Sequence, residues 1–138
     1  MDRYLADSVI IIDYLNDVLP ARSWLLTHRR AVVLSAVTVA EVLSDPTADA
    51  ARIDRYRLLL QTFKMLGINR STAARAASLR RTERLRLPDA FQAAVALEYG
   101  LILATRNTKD FSPARHPFVT VPYTLTPAPL PPATPAGP

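Results

Sequence analysis

The chain has 138 residues, 49% of them apolar and none of them cysteine, with a formal net charge of +5 and a pI of about 10.1. That length suits one domain with a proper core, and the missing cysteines exclude a disulfide scaffold and any thiolate metal site. The polar start MDRYLADS does not read as a signal peptide, and no apolar run reaches bilayer-spanning length. A cytoplasmic protein is therefore expected. The basic balance suits a polyanionic partner.

Residues 4–12 read as a buried parallel strand, because Val9-Ile10-Ile11-Ile12 is β-branched and apolar on both faces. Asp7 lies within that run and Asp13 just after it. A short helix is expected over 13–18 and another over 21–28. A second strand, 31–34, leads to Ser35 as N-cap of a helix over 36–44. Glu41 emerges from that otherwise apolar helix. Asp45-Pro46 predicts the start of a long helix over 47–64, followed by a short strand at 65–68 and an arginine-rich helix over 71–84.

Residues 87–111 form the most informative stretch. Pro88 suits a first helical position, Asp89 falls in the first turn where the dipole favours an anion, and residues 90–97 are nearly all apolar. Gly100 stops the helix. Residues 101–105 read as a buried strand that opens into the polar loop Arg106-Asn107-Thr108-Lys109-Asp110. A last strand is expected at 118–121. Prolines then crowd residues 122–138, a composition that favours an extended or disordered tail over a core. Alternating strands and helices imply an α/β domain over 1–121 with a central parallel sheet covered on both faces.

Four carboxylates occupy apolar or strand-end settings: Asp7, Glu41, Asp89 and Asp110. Each taken singly has an ordinary structural reading as an arginine partner, a helix-start acid, a surface helix residue or a turn cap. Together at one sheet edge they would repel one another and raise each other's pKa. A divalent cation removes that repulsion, and oxygen-only ligands favour Mg²⁺ or Mn²⁺ over zinc. His28 and His116 are isolated in sequence and are expected at the surface. Metal-held carboxylates in a basic domain point to phosphodiester hydrolysis.

Three blocks resemble the PIN domain, in particular VapC-like toxin ribonucleases. They are Tyr4-Leu5-Ala6-Asp7-Ser8 with the apolar run to Asp13, the segment 35–43 with Ala40-Glu41-Val42, and Leu87-Pro88-Asp89-Ala90 followed by Thr105-Arg106-Asn107 and Asp110-Phe111. The resemblance spans residues 4–121. It implies a three-layer α/β sandwich and a Mg²⁺- or Mn²⁺-dependent endoribonuclease with Asp7, Glu41, Asp89 and Asp110 as the acidic, metal-holding site. Ser8, Thr105 and Asn107 are its polar neighbours. It further implies a toxin that dimerises and is neutralised by a small antitoxin. Arg75, Arg80, Arg81, Arg84 and Arg106 are candidate RNA contacts. Position 9, usually Ser or Asn in the family, is Val9 here, which removes a hydrogen-bonding group beside Asp7. Two other readings compete: a catalytically silent PIN-fold scaffold, and a phosphoacceptor receiver domain, disfavoured because the second strand ends in Ser35.

Overall fold

Among the described residues no tight hairpin joins the strands. Each connection carries a helix or a long loop, so neighbouring strands run parallel. A computed structural model describes residues 1–125. In chain order the elements are β1 (Tyr4–Ala6), α1 (Ser8–Leu15), α2 (Leu19–His28), β2 (Val32–Ser35), α3 (Ala36–Leu43), α4 (Ala50–Leu60), β3 (Lys64–Leu66), α5 (Arg70–Glu83), α6 (Leu87–Glu98), β4 (Ile102–Ala104) and β5 (Val119–Thr120).

The five strands form one parallel sheet in the order β3-β2-β1-β4-β5. The chain moves outward from β1 to β3 and then returns to the other side of β1. That reversal lies between β1 and β4, where open α/β sheets build their sites. Side chains alternate across the sheet. Leu5, Val33 and Leu103 join Ala90, Ala93, Ala94 and Ala76 of α6 and α5. Ala6, Val32 and Leu34 join Ile10, Ile11, Leu25, Val42 and Tyr56 on the opposite face. The result is the expected three-layer sandwich. Among the described residues no helix is long and apolar enough to cross a membrane.

The unit from α6 to β4 forms as its residues dictate. Pro88 lies in the first turn beside Asp89. The alanines of α6 are fully buried, and their small size lets α5 pack closely. Gly100 takes φ +63°, and the Leu101 N–H returns to the Ala96 carbonyl at 2.8 Å, closing the helix.

Several expected elements differ, among them the short helix over 13–18, whose first three residues instead end α1. The strand over 4–12 ends at Ala6, and Val9 to Ile12 are helical in α1. Asp7 is extended and caps that helix by accepting from the Ser8 N–H at 2.8 Å. The β-branched preference, a few tenths of a kcal/mol per residue, is outweighed by burying Ile10 and Ile11, about 1.5–3 kcal/mol each. The long helix over 47–64 starts only at Ala50, capped by Asp49. Asp45 instead accepts from the Thr47 N–H and hydroxyl and from the Tyr56 hydroxyl. The helix ends at Leu60, so Lys64 begins β3.

His116 is not at the surface. It is 7% exposed and packs edge-on against Phe111 and Phe118. His28 is half-buried and stacks on Trp24. The proline-rich tail expected at 122–138 lies outside the described residues from 126 onward. Within the described part, the Tyr123 hydroxyl donates to Asp13 at 2.7 Å.

The helical course of α1 makes neighbouring isoleucines unequal. Ile11 is fully buried and Ile12 is 39% exposed. Ile11→Ala is expected to cost about 2–5 kcal/mol in urea unfolding and Ile12→Ala less than about 1 kcal/mol. Equal losses would restore the strand reading.

Candidate active site

The register places the first acid. Tyr4, Leu5 and Ala6 of β1 pair with Ile102, Leu103 and Ala104 of β4. The next residues, Asp7 and Thr105, therefore emerge side by side at the carboxyl edge. Thr105 donates its hydroxyl to Asp7 Oδ2 at 2.7 Å. Asp7 Oδ1 accepts from the Ser8 N–H and, at 3.3 Å, from Gln92 Nε2.

Gln92 is fully buried on α6, one turn after Asp89. Its amide donates to Thr38 Oγ1 at 2.6 Å and accepts from the Ser35 hydroxyl at 2.7 Å. Thr38 in turn donates to the Ala6 carbonyl. Gln92 thus ties α6 to α3 and β1 around the Asp7 carboxylate. The sequence reading missed it, although one amide in an otherwise apolar buried run is a signal that a partner is waiting. Ser8, Thr105 and Gln92 hold Asp7 without a contribution from Val9.

A cleft of about 370 Å³ opens above these residues. Asp7, Ser8, Glu41, Asp89 and Asn107 line it, with Val9 and the cations Arg86, Arg106 and Lys109. Asp110 stands at its edge, accepting from Asn107 Nδ2 at 2.9 Å and from Arg86 Nη2 at 3.3 Å. Arg86 Nε also approaches Asp89 Oδ2 to 3.6 Å, an ion pair too long to be a hydrogen bond. Asp89 Oδ2 is buried with no hydrogen-bond partner among the described residues. The Asn107 N–H donates to the Thr105 hydroxyl, which joins the loop to Asp7.

Of the arginines expected to contact RNA, only Arg106 lines this cleft. Arg75 pairs with Glu98 on α6, and Arg80 donates to the Leu85 carbonyl. Arg84 is the left-handed residue that ends α5. Arg86 and Lys109 also line the cleft, carried there by the entry to α6 and the loop after β4.

The acids are coupled. Burial pushes the Asp7 carboxyl up, the hydrogen bonds from Thr105, Ser8 and Gln92 pull it down, and Asp110 adds a smaller upward push. Loss of solvent raises Glu41 most, followed by the charge of Asp7, with Ser8 opposing. Asp89 is raised from 3.8 to about 6, by burial first and then by Asp7 and Asp110, against Arg86. Among the described residues no three of these groups stand close enough to form a ready-made metal cage. Mutual repulsion opposes such closeness. The orphaned Asp89 oxygen and the shared elevation of three carboxyls are what a cation between them would relieve, so the residues fit a divalent ion with oxygen ligands.

The PIN domain family matches residues 4–116. The chain belongs to it. The PIN fold seen here superposes on a chain of a toxin–antitoxin complex from Klebsiella pneumoniae with a TM-score of 0.80 and 34% identity, covering 88% of this chain and 99% of that one. It is similar to a chain of FitAcB from Neisseria gonorrhoeae, with TM-score 0.73, 27% identity and coverage of 88% and 99%. VapBC2 from Rickettsia felis, bound to a promoter DNA fragment, shares the fold at 16% identity with TM-score 0.70 and coverage of 84% and 94%. No curated protein matches the chain at a significant level.

The raised acids make metal-free stability fall with pH. Folded Asp89 keeps its proton to about pH 6, whereas the unfolded chain loses it near 3.8. The folded state binds the extra proton between those values, so stability declines as pH rises from about 4 through 6 and stays lower above. Asp7 and Glu41 act in the same direction. Asp13 and Asp45, whose pKa values are lowered, act oppositely but only below the ordinary carboxylate range. Urea unfolding in EDTA should therefore give a decline across this window. In Asp89→Asn the decline should flatten, with stability at pH 7 equal to wild type or higher. A strong loss of stability in that variant would make Asp89 a paired structural acid.

Proposed function

We propose that this PIN domain is a divalent-metal-dependent endoribonuclease acting in the cytoplasm as the toxin of a toxin–antitoxin pair. The observation that carries the reading is the cleft itself. Three carboxyls of raised proton affinity share it with three cationic side chains, at the reversal point of the sheet. Asp7 and Asp89 would hold Mg²⁺ or Mn²⁺, with Glu41 beside them and Asp110 supporting from the rim. An ion bound there supplies Lewis-acid polarisation of the scissile phosphate.

The chain's own groups divide the remaining work. Thr105, Ser8 and Gln92 fix the Asp7 carboxylate, so the site is oriented before substrate arrives. Glu41 orients the attacking water and, with its raised pKa, can accept a proton from it. Arg86, Arg106 and Lys109 hold the RNA phosphates, and Asn107 steadies Asp110. The solved chain from Klebsiella pneumoniae, 34% identical over nearly its whole length, belongs to a toxin–antitoxin complex. That supports a small antitoxin as partner, and a homodimer goes with the same reading.

Cleavage of a mixed single-stranded RNA pool tests the proposal. The wild type is expected to cut with Mg²⁺ or Mn²⁺ and to stop in EDTA. Asp7→Asn and Asp89→Asn should each lose at least about a hundredfold in rate. Cleavage that persists in EDTA, or in both variants, would remove the site from this cleft. A folded wild type that cuts nothing with either metal would favour the silent scaffold.

A further inference from the structure

Asp13 is a charged side chain covered by its neighbours, 4% exposed, and the proposed chemistry does not use it. It lies on α1, away from the cleft-lining set. Two groups from distant parts of the chain meet on it. Arg106 donates through Nε to Oδ2 at 2.5 Å and through Nη2 to Oδ1 at 2.9 Å, a two-point pairing. Tyr123, beyond the last strand, donates its hydroxyl to Oδ2 at 2.7 Å.

Arg106 is the residue that this arrangement immobilises. It follows Thr105, the support of Asp7, and it lines the cleft with a third of its side chain exposed. The two-point pairing uses Nε and one N–H of Nη2, and among the described residues the other N–H groups of the guanidinium make no hydrogen bond. A buried ion pair is weak evidence for stability, because removing two charges from water offsets their attraction. Fixing the plane of a long, flexible cation is a role that such a pair does serve. Tyr123, just beyond β5, also packs against the cluster that holds Ile10 and Ile11 of α1.

We propose that Asp13 and Tyr123 are positioning residues. They hold the Arg106 guanidinium in one orientation so that its free N–H groups grip a phosphate of single-stranded RNA at the cleft. This rests on the reading of the cleft as an RNA site. Tyr123 thereby becomes part of the substrate grip.

The test is the affinity of the full chain for a fluorescent single-stranded RNA oligonucleotide in EDTA, measured well below each variant's melting temperature. Arg106→Ala is expected to weaken binding roughly ten- to a hundredfold and to lower the slope of log affinity against log salt by about 0.7. Tyr123→Phe keeps the ring and all charges and should weaken binding roughly three- to tenfold. Asp13→Asn should weaken it at least as much, and Asp13→Glu should recover part of the loss. If Arg106→Ala binds like wild type, Arg106 does not touch RNA and the reading of the cleft is at fault. If Arg106→Ala weakens binding but Tyr123→Phe does not, positioning is overturned while the cleft stands. Should Asp13→Asn fail to fold, Tyr123→Phe alone decides.

Discussion

The Asp7 carboxylate is the constraint on which this architecture depends. It sits 5% exposed at the end of the central strand, where a bare charge would be expensive. Three donors offset that cost, and each comes from a different direction: the start of α1, the end of β4 and the middle of α6. They do so incompletely, since burial still leaves the Asp7 pKa raised. The same donors dictate neighbouring structure. Capping by Asp7 starts α1 immediately after a three-residue strand. Gln92 needs Thr38 and Ser35 to satisfy its amide, which fixes α3 against α6.

Electrostatic crowding follows from this placement. Asp89 enters the cleft in the first turn of α6, where the helix dipole favours it, yet one carboxylate oxygen finds no donor. Arg86 lies near both Asp89 and Asp110 and relieves part of the repulsion. It is largely exposed, so solvent weakens that help. Such crowding works against stability, and the rest of the fold holds the acids together.

Much of this was legible in the sequence where local and global signals agree. The unit from Pro88 to Asp110 carried its own stop signals, apolar pattern and strand-end acids, and the three motif blocks pointed to the family that the chain proves to belong to. The failures have physical causes. Val9 to Ile12 favour a strand locally but turn helical because Asp7 caps them and the core takes Ile10 and Ile11. Asp45 and Asp49 both resemble helix caps, and the Tyr56 hydroxyl, one tertiary contact, draws Asp45 elsewhere. The cations that line the cleft, Arg86, Arg106 and Lys109, are single residues delivered by topology, with no common run to mark them in the sequence. Pairings such as Asp13 with Arg106 and Tyr123 span most of the chain and have no local signature.

The central claim of the proposed function is that these carboxyls, raised by burial and by one another, share a divalent cation. Calorimetric titration of the EDTA-stripped protein with Mn²⁺, in two buffers of different ionisation enthalpy, tests it most directly. Asp89 is half-protonated at about pH 6, so binding at that pH must expel protons, and the apparent enthalpy should differ between the buffers. At pH 8 the buffer dependence should vanish while binding tightens. Saturable binding with no proton release at pH 6, or no binding at millimolar Mn²⁺ at either pH, would contradict the account.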